Sequence, residues 1–424
     1  MSWDFETPQR LQNELDWIDQ FVRENVEPLD YLVHDPLDLN DAQRNQLIKP
    51  LQQQVKQKNL WGLHLGKALG GPGRGQLELT LINEILGRSL NAPTVFGCQA
   101  PDAGNAEILA HYGTSEQKKQ YLEPLLANEI ASCFAMTEPQ GGADPKMIST
   151  SAVLDAGHWT LNGSKWFATN ARFATFYITL ANTDPDASNP YQRQSVFIVP
   201  ADTPGIEFVR HCGVANEPGL PSHSYLEFSN VRIPEDHLLG ERGRGFVVTQ
   251  VRLGGGRIHH AMRSLAQCQM AFDMMCERAL SRVTQGEILA EKQMVQDMIA
   301  ESWMAIEQYR LLLLQTAWKA DKFGDYQKIR KDIAAVKTLM PRVLQQVAAN
   351  ALQIHGSLGI TNEMPFANQI ITAYRMGIAD GPTEVQKITL AKQILKEYQP
   401  SDDLFPRAHG VKRAAAAHAM VAEL

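Results

Sequence analysis

The sequence of 424 residues has few cysteines and no long apolar run. Its five cysteines are scattered and odd in number, and no two of them form a Cys-x-x-Cys pair, which indicates neither a zinc site nor a disulfide framework. No stretch approaches the roughly 18 apolar residues of a membrane-spanning helix. The N-terminal stretch MSWDFETPQRLQNELDW is polar, unlike a signal peptide. We therefore expect a cytoplasmic protein with reduced thiols and no membrane span.

The sequence also has fewer basic than acidic residues. The chain has 40 Lys and Arg against 47 Asp and Glu, and its formal net charge is −7. Nucleic-acid-binding domains carry clustered basic residues, so we expect no nucleic acid partner. No HExxH motif occurs, and the adjacent His259 and His260 face different sides of a helix, so no metal site is predicted.

Three regions with different apolar periods follow one another along the chain. The first, up to about residue 128, has a helical period. From about residue 130 to 239 the period changes to two, with Pro and Gly between short strands, and Asn162-Gly163 predicts the turn of a hairpin. From about residue 245 to 398, four long amphipathic segments indicate an up-and-down bundle.

The sequence therefore predicts an α+β multidomain protein. We expect an N-terminal all-α domain over residues 1–130 and a middle antiparallel β-barrel or sandwich over residues 131–240. A C-terminal four-helix bundle follows over residues 241–400, and an Ala-rich tail over residues 401–424.

The segment RLGGGRIHHAMR contains three successive glycines within a helical pattern. Each of Gly254, Gly255 and Gly256 costs up to about 1 kcal/mol relative to alanine in a helix. Three in a row indicate a close approach, either of another helix or of a ligand. Arg252 stands just before them, where it could meet a phosphate or a carboxylate.

The segment GIADGPTEVQ leaves two roles open for Asp380. Aspartate is a preferred N-cap, and proline fits the first turn of the helix that follows. The alternative is a carboxylate that is directed at a substrate. The residues by themselves favour the cap.

Five motifs then combine into a larger pattern: CFAMTEPQGGAD, NGSKWFATN, RIPEDHLLGERGRGF, QIHGSLGITNEMP and ADGPTEVQKITLAK. In their order and spacing the chain resembles the acyl-CoA dehydrogenase family, from about Leu15 to Leu395. The forms APDAGN and RLGGGRIHH are most similar to the branch that in animals is fused to a kinase-like phosphotransferase domain.

The resemblance implies a flavoenzyme of fatty-acid β-oxidation, with FAD between the β-domain and the C-terminal bundle. Such an enzyme dehydrogenates an acyl-CoA thioester between its α and β carbons to the trans-2-enoyl-CoA. The electrons pass to an electron-transfer flavoprotein. The resemblance also implies a homodimer or homotetramer whose FAD sites are shared between subunits.

The resemblance further implies a set of cofactor and substrate residues. Those expected around the flavin ring are Phe134, Met136, Thr137, Ala143, Phe167 (where the family usually has tryptophan) and Thr169. Those expected to hold the FAD diphosphate and adenosine from a second subunit are Arg282, Gln285, Gln293, Gln353, Gly356 and Ser357. Those expected near the diphosphate at a helix start are Pro382, Thr383 and Glu384. Those expected at the substrate are Ala143, Arg252, Asp380 and Gly381.

Asp380 stands at the position of the family's catalytic carboxylate, where glutamate followed by Gly-Thr is usual. The resemblance thus favours the base over the cap, with the α-proton going to Asp380 and the β-hydride to flavin N5. Aspartate is one methylene shorter, so its backbone or the substrate has to lie closer, and the three glycines are candidates for making that room. Some family members carry the base on the helix of Arg252, where the matching residue is Val251, which is not ionisable.

Two other functions stay open. Nitroalkane oxidases of the same fold use aspartate at the matching place, so a flavin oxidase, of the nitroalkane-oxidase or acyl-CoA-oxidase kind, is one alternative. The other is a non-catalytic flavoprotein that serves as a binding scaffold.

Overall fold

The structure is a computed structural model, and it describes residues 6–67, 71–215, 219–401 and 404–422. The first region is helical, as its apolar period predicts. Its helices are α1 (Gln9–Phe21), α2 (Ala42–Gln57), α3 (Gln76–Leu86), α4 (Ala92–Val95), α5 (Asp102–Tyr112), α6 (Ser115–Gln117) and α7 (Glu123–Ala127). A capping box of Thr114 and Gln117 starts α6 and satisfies two backbone N–H groups there.

The middle region is a sheet of short strands. They are β1 (Ser132–Ala135), β2 (Ser151–Asp155), β3 (His158–Thr169), β4 (Phe176–Asn182), β5 (Gln194–Pro200), β6 (Ile206–Cys212), β7 (His223–Pro234) and β8 (Leu238–Leu239). Their spatial order is β6-β7-β3-β1-β4-β5-β8, with β2 paired to β3 and β4. Most pairs are antiparallel, as predicted, but β1 and β2 each run parallel to β4, which the sequence did not indicate. A parallel pair needs a long crossover, and the stretch from residue 136 to 175, which contains the β2–β3 hairpin, provides it.

The turn of the β2–β3 hairpin was predicted in the wrong place. It lies at Ala156–Gly157, with φ of 45° and 74°. Asn162 and Gly163 lie inside β3, where the register against β7 shifts. A Cβ atom at Gly163 would lie 2.6 Å from the Cα of Thr150, so this glycine serves a close backbone approach, a recognised role of glycine in strands.

The third region contains the longest helices. They are α8 (Gly245–Ser281), α9 (Gln293–Phe323), α10 (Arg330–His355), α11 (Phe366–Ile378) and α12 (Thr383–Leu395). A small hairpin, β9 (Val283–Thr284) with β10 (Glu287–Ile288), connects α8 to α9. The prediction of four helices omitted α11. Its buried residues Phe366, Gln369, Ala373 and Met376 follow a helical period over its 13 residues, so the signal was present in the sequence.

One apolar core joins both helical regions. Ile18 of α1 and Ile82 of α3 belong to the same cluster of buried side chains as Leu265 of α8 and Val347 of α10. Each such side chain contributes about 1.5–3 kcal/mol when it is fully buried. The N-terminal helices are therefore held against the C-terminal ones, and residues from both can form one site.

A last helix, α13 (Gly410–Ala422), lies in the tail and buries none of its residues. Within the residues that the structure describes, no helix is both long and apolar enough to cross a membrane.

Candidate active site

Asp380 lies in the short connection between α11 and α12. Its φ is 54° and that of Gly381 is 98°, so both residues adopt left-handed conformations, which aspartate tolerates better than most residues and glycine adopts freely. Helix α12 begins at Thr383, and no side chain caps its N-terminus. The interpretation of Asp380 as an N-cap is therefore wrong, and its carboxylate is free for another role.

Two cationic side chains hold this connection from the neighbouring helices. The Nε of Arg257, on α8, donates a hydrogen bond of 2.7 Å to the carbonyl of Asp380. The Nζ of Lys337, buried on α10, donates to the carbonyl of Met376 in the last turn of α11. Burial lowers the pKa of Lys337 to about 8, against the opposing effect of Asp380. A left-handed non-glycine residue costs of order 1–3 kcal/mol, and these two bonds offset that cost.

The Asp380 carboxylate lies against one face of α8. A Cβ atom at Gly256 would lie 3.3 Å from Oδ2, and Nε2 of His260 lies 3.4 Å from the same oxygen. Among the described residues, no donor hydrogen-bonds to either carboxylate oxygen. Gly256 is thus a residue of α8 that faces Asp380. Val251, at the alternative position for the base, packs instead against the apolar cluster that contains Ile108 and Val248.

The three glycines of α8 accommodate side chains from separate segments. A Cβ at Gly254 would lie 2.9 Å from the ring of Tyr326, and a Cβ at Gly255 would lie 3.0 Å from Oε2 of Glu107. Gly256 accommodates the carboxylate described above. The close approach that the sequence indicated is therefore real, but it is made by side chains instead of a helix backbone.

The second carboxylate beside this glycine run, Glu107 of α5, was missed in the sequence. Burial raises its pKa to about 7, and Arg252 opposes that rise. Among the described residues it makes no hydrogen bond. A signal did exist, because Glu107 is an acidic residue among the apolar positions of NAEILA.

Arg252 connects α8 to both other regions. Its Nε donates to Oδ1 of Asn105 over 2.9 Å, and its guanidinium lies 3.9 Å from the ring centre of Phe134 on β1. Burial lowers its pKa, while the nearby Asp380 raises it. The structure thus brings Arg252 and Phe134 together on the Asp380 side of the molecule.

The predicted flavin residues of the sheet also lie together. Phe134 is paired with Thr169 across β1 and β3, and the carbonyl of Thr137 accepts a 2.8 Å hydrogen bond from the N–H of Trp166. Phe167 has a φ of 51° at an irregularity of β3 and is 51% exposed. Ala143 is an exposed residue of the loop that follows β1.

A buried ion pair, also missed in the sequence, anchors this loop. The Nζ of Lys165 lies 2.7 Å from Oε1 of Glu138, and both side chains are buried. Lys165 also donates to the carbonyl of Met136 over 3.1 Å. The pair therefore holds the backbone of residues 136–138, which carry the predicted flavin contacts.

This part of the sheet, around the paired residues Phe134 and Thr169, fits a flat heterocycle with a polar rim. Phe167 offers an exposed ring, and the hydroxyl of Thr137 has no hydrogen-bond partner in the described part of the chain. Thr169 adds a second hydroxyl, 3.0 Å from Nδ1 of His223. An isoalloxazine ring has this combination of an apolar plane and polar edge atoms.

The residues expected at the other half of FAD lie elsewhere. All six are exposed, near the end of α8, the start of α9 or the end of α10; they are Arg282, Gln285, Gln293, Gln353, Gly356 and Ser357. Arg282 stands roughly 40 Å from Gly256 along α8, at 1.5 Å per residue. One chain therefore does not bring the two groups together. By contrast, the residues expected near the diphosphate lie close to Asp380 in the chain, since only Gly381 separates it from Pro382, Thr383 and Glu384. Thr383 donates to the carbonyl of Gly377 over 3.1 Å.

Comparison with known proteins identifies the same architecture along the chain. Family models match in order: the acyl-CoA dehydrogenase N-terminal domain over residues 11–129, its middle domain over residues 133–231 and its C-terminal domain over residues 243–395.

Individual relatives agree with these matches. "Probable acyl-CoA dehydrogenase FadE2" of Mycobacterium tuberculosis is 38% identical over 82% of this chain and 85% of its own length. "Acyl-CoA dehydrogenase family member 11" of Gallus gallus is 36% identical over 88% of this chain and 49% of its own. The chain thus spans about half the length of the animal relatives that it matches. A solved structure, "Structure of a putative acyl-CoA dehydrogenase from Mycobacterium abscessus", is 35% identical, with a TM-score of 0.85, over 93% of this chain and 100% of that one.

Proposed function

The chain belongs to the acyl-CoA dehydrogenase family, and from this premise we propose that it is an FAD-dependent enzyme that converts an acyl-CoA to the trans-2-enoyl-CoA. Asp380 is the base that takes the α-proton. The observation that carries the proposal is the state of this carboxylate: it caps no helix, lies against Gly256, and belongs to a backbone that Arg257 and Lys337 hold.

The residues of the chain divide the work in the proposed reaction. Asp380 accepts the α-proton of the thioester on a carboxylate oxygen. Its backbone N–H makes no hydrogen bond among the described residues, so it is available to the thioester oxygen, where negative charge develops. FAD, when bound, supplies the acceptor for the β-hydrogen, which leaves as hydride. Phe134, Thr137, Phe167 and Thr169 would hold its ring against the sheet at β1 and β3.

A second copy of the chain completes the cofactor site in this proposal. Support comes from the separation of roughly 40 Å along α8 between the two groups of predicted FAD residues. A homodimer or homotetramer places the Arg282 end of one copy at the Asp380 end of another. The family resemblance supports an electron-transfer flavoprotein as the acceptor and fatty-acid β-oxidation as the setting, and the scattered cysteines and polar N-terminal stretch support the cytoplasm as its location. The three family-model matches support the proposed division at residues 130, 240 and 400.

An anaerobic titration of the purified yellow protein tests the proposal. A panel of acyl-CoAs is added while the flavin band, near about 450 nm for this type of cofactor, is followed for the wild type and for Asp380→Ala. We expect one acyl-CoA to bleach the wild type and not the variant. Equal bleaching of both proteins would remove Asp380 from the mechanism. A wild type that no acyl-CoA bleaches would favour a non-catalytic flavoprotein.

A flavin oxidase is the second candidate, because an aspartate occupies the position of the base. The distinction lies in the electron acceptor. Rapid turnover in air without any added acceptor would favour the oxidase, whereas turnover that requires an added acceptor supports the dehydrogenase.

A further inference from the structure

Among the described residues, His260 is the basic side chain that lies nearest to the Asp380 carboxylate, although the contact is not a hydrogen bond in this structure. Its Nε2 lies 3.4 Å from Oδ2, and the two side chains are 25% and 17% exposed. His260 follows Gly256 by four residues, so both lie on the same face of α8, one turn apart. Gly256 leaves space for the carboxylate, and His260 bounds that space on one side.

The imidazole is neutral near pH 7. Burial lowers the pKa of His260 to about 4, and Asp380 opposes this shift. The other charged groups that act on His260 are cationic: Arg263 on its own helix, Lys337 on α10 and Arg375 on α11. A neutral imidazole carries one N–H group, and Oδ2 of Asp380 lies 3.4 Å from Nε2 of His260.

A shorter side chain makes orientation more important. Aspartate has two rotatable side-chain bonds, and an unrestrained carboxylate turns away from a substrate as easily as towards it. Near-attack geometry requires the reacting atoms within about 3–3.5 Å. A donor that holds one oxygen leaves the other oxygen in a defined direction. Hydrogen bonds of this kind are often long before substrate binds and shorten in the complex, which agrees with a separation of 3.4 Å.

We propose that His260 is a positioning residue for Asp380: its Nε2–H holds Oδ2 and directs Oδ1 towards the α-hydrogen of the substrate. This inference rests on the proposed function. In the step concerned, the Cα–H bond breaks, its electron pair stays on the thioester as the enolate, and the proton forms an O–H bond at Oδ1. His260 keeps its own proton throughout.

The test measures proton transfer separately from oxidation. The FAD-loaded proteins are incubated in D2O with the acyl-CoA that bleaches the wild type, and deuterium at the α-carbon is followed by mass spectrometry. We expect His260→Leu to exchange about ten- to hundredfold more slowly, as the loss of a hydrogen bond to a charged group predicts, with little change in KM. His260→Gln, which keeps an N–H donor of similar reach, should stay within about threefold of the wild type.

A pH profile separates positioning from packing. A hydrogen bond to the charged form favours that form, so in His260→Leu the acidic limb of the exchange rate should move to higher pH. In His260→Gln it should stay where the wild type has it. The proposal would be overturned if His260→Leu exchanged at the wild-type rate and the acidic limb of its pH profile did not move.

His259→Leu is the matched control, because Nε2 of His259 is buried without a hydrogen-bond partner among the described residues. It should exchange at the wild-type rate, and a loss equal to that of His260→Leu would contradict the proposal.

If His260→Leu does not retain FAD, the rates of His260→Gln and His260→Asn decide. The variant with the shorter asparagine should exchange more slowly, and equal rates overturn the inference. If Asp380→Ala stops exchange while no His260 variant alters it, the inference fails and the proposed function stands. If no acyl-CoA bleaches the wild type, the proposed function fails and the inference falls with it.

Discussion

Glu138 and Asp380 are both carboxylates with a basic side chain beside them, yet their surroundings differ. Glu138 accepts five hydrogen bonds, and its donors are Lys165, Gln140, the N–H and hydroxyl of Ser149, and the N–H of Thr150. In the described part of the chain, the Asp380 carboxylate accepts no hydrogen bond and lies 3.4 Å from Nε2 of His260, although its backbone is firmly held. A carboxylate whose lone pairs are filled is a structural anchor, whereas one with free lone pairs on a fixed backbone can accept a proton.

The pKa of Glu138 agrees with this distinction. Burial alone would raise that pKa, but Lys165 and the hydrogen bonds lower it to about 2. Burial also lowers the pKa of Lys165, to about 8, against the opposing effect of Glu138. Both groups are therefore mainly charged near pH 7, and the pair fixes the backbone of residues 136–138.

The largest expected change in stability comes from breaking the ion pair of Lys165 and Glu138. Lys165→Met should lower the free energy of unfolding by about 3–5 kcal/mol, because it leaves a buried carboxylate without its cation. FAD should also be lost more readily, since the loop of residues 136–138 is released. Urea denaturation and flavin fluorescence measure the two effects. The exposed pair of Lys146 and Asp144 provides the control: Lys146→Met should cost no more than about 1 kcal/mol. Equal losses in both variants would show that burial of the pair is unimportant.

The next effect is on acid stability. The pKa of Glu138 is lowered from 4.5 to about 2 on folding, so its stabilisation is present above about pH 4.5 and is lost as the pH falls towards 2. The full contribution is about 3 kcal/mol, at 1.36 kcal/mol per pKa unit. Unfolding free energies measured between pH 6 and pH 2 should therefore decline more steeply in the wild type than in Glu138→Gln. Parallel declines in the two proteins would contradict this role.

The smallest expected effect separates activity from stability. Gly256→Ala places a Cβ atom 3.3 Å from Oδ2 of Asp380, so the carboxylate has to shift, and flavin reduction should slow by about tenfold. Stability should not fall, because alanine favours a helix by up to about 1 kcal/mol over glycine. Gly410→Ala, where nothing lies within 4 Å, should leave the rate unchanged. A Gly256→Ala variant with a wild-type rate would show that the carboxylate does not need this space.

Signals that were local in sequence predicted their features well. The change of apolar period from helix to strand and back led to the fold class, which the family models and the solved structure confirm. Failures came where two local signals compete. Asn162-Gly163 has the composition of a hairpin turn, but the turn lies at Ala156-Gly157. Aspartate before Gly-Pro has the composition of a cap, but the left-handed backbone of Asp380 removes it from α12.

The sequence by itself determined the order of helical and β regions, the family, and the candidate carboxylate at residue 380, because apolar period and motif spacing are properties of neighbouring residues. Only the tertiary structure decided what surrounds that carboxylate. Gly256 and His260 of α8 lie against it, Arg257 of the same helix holds its backbone, and Lys337 of α10 interacts with it electrostatically. These residues lie far apart in the chain, and packing of the helices around a common core brings them together. A contact of that kind leaves no periodic trace in a single sequence.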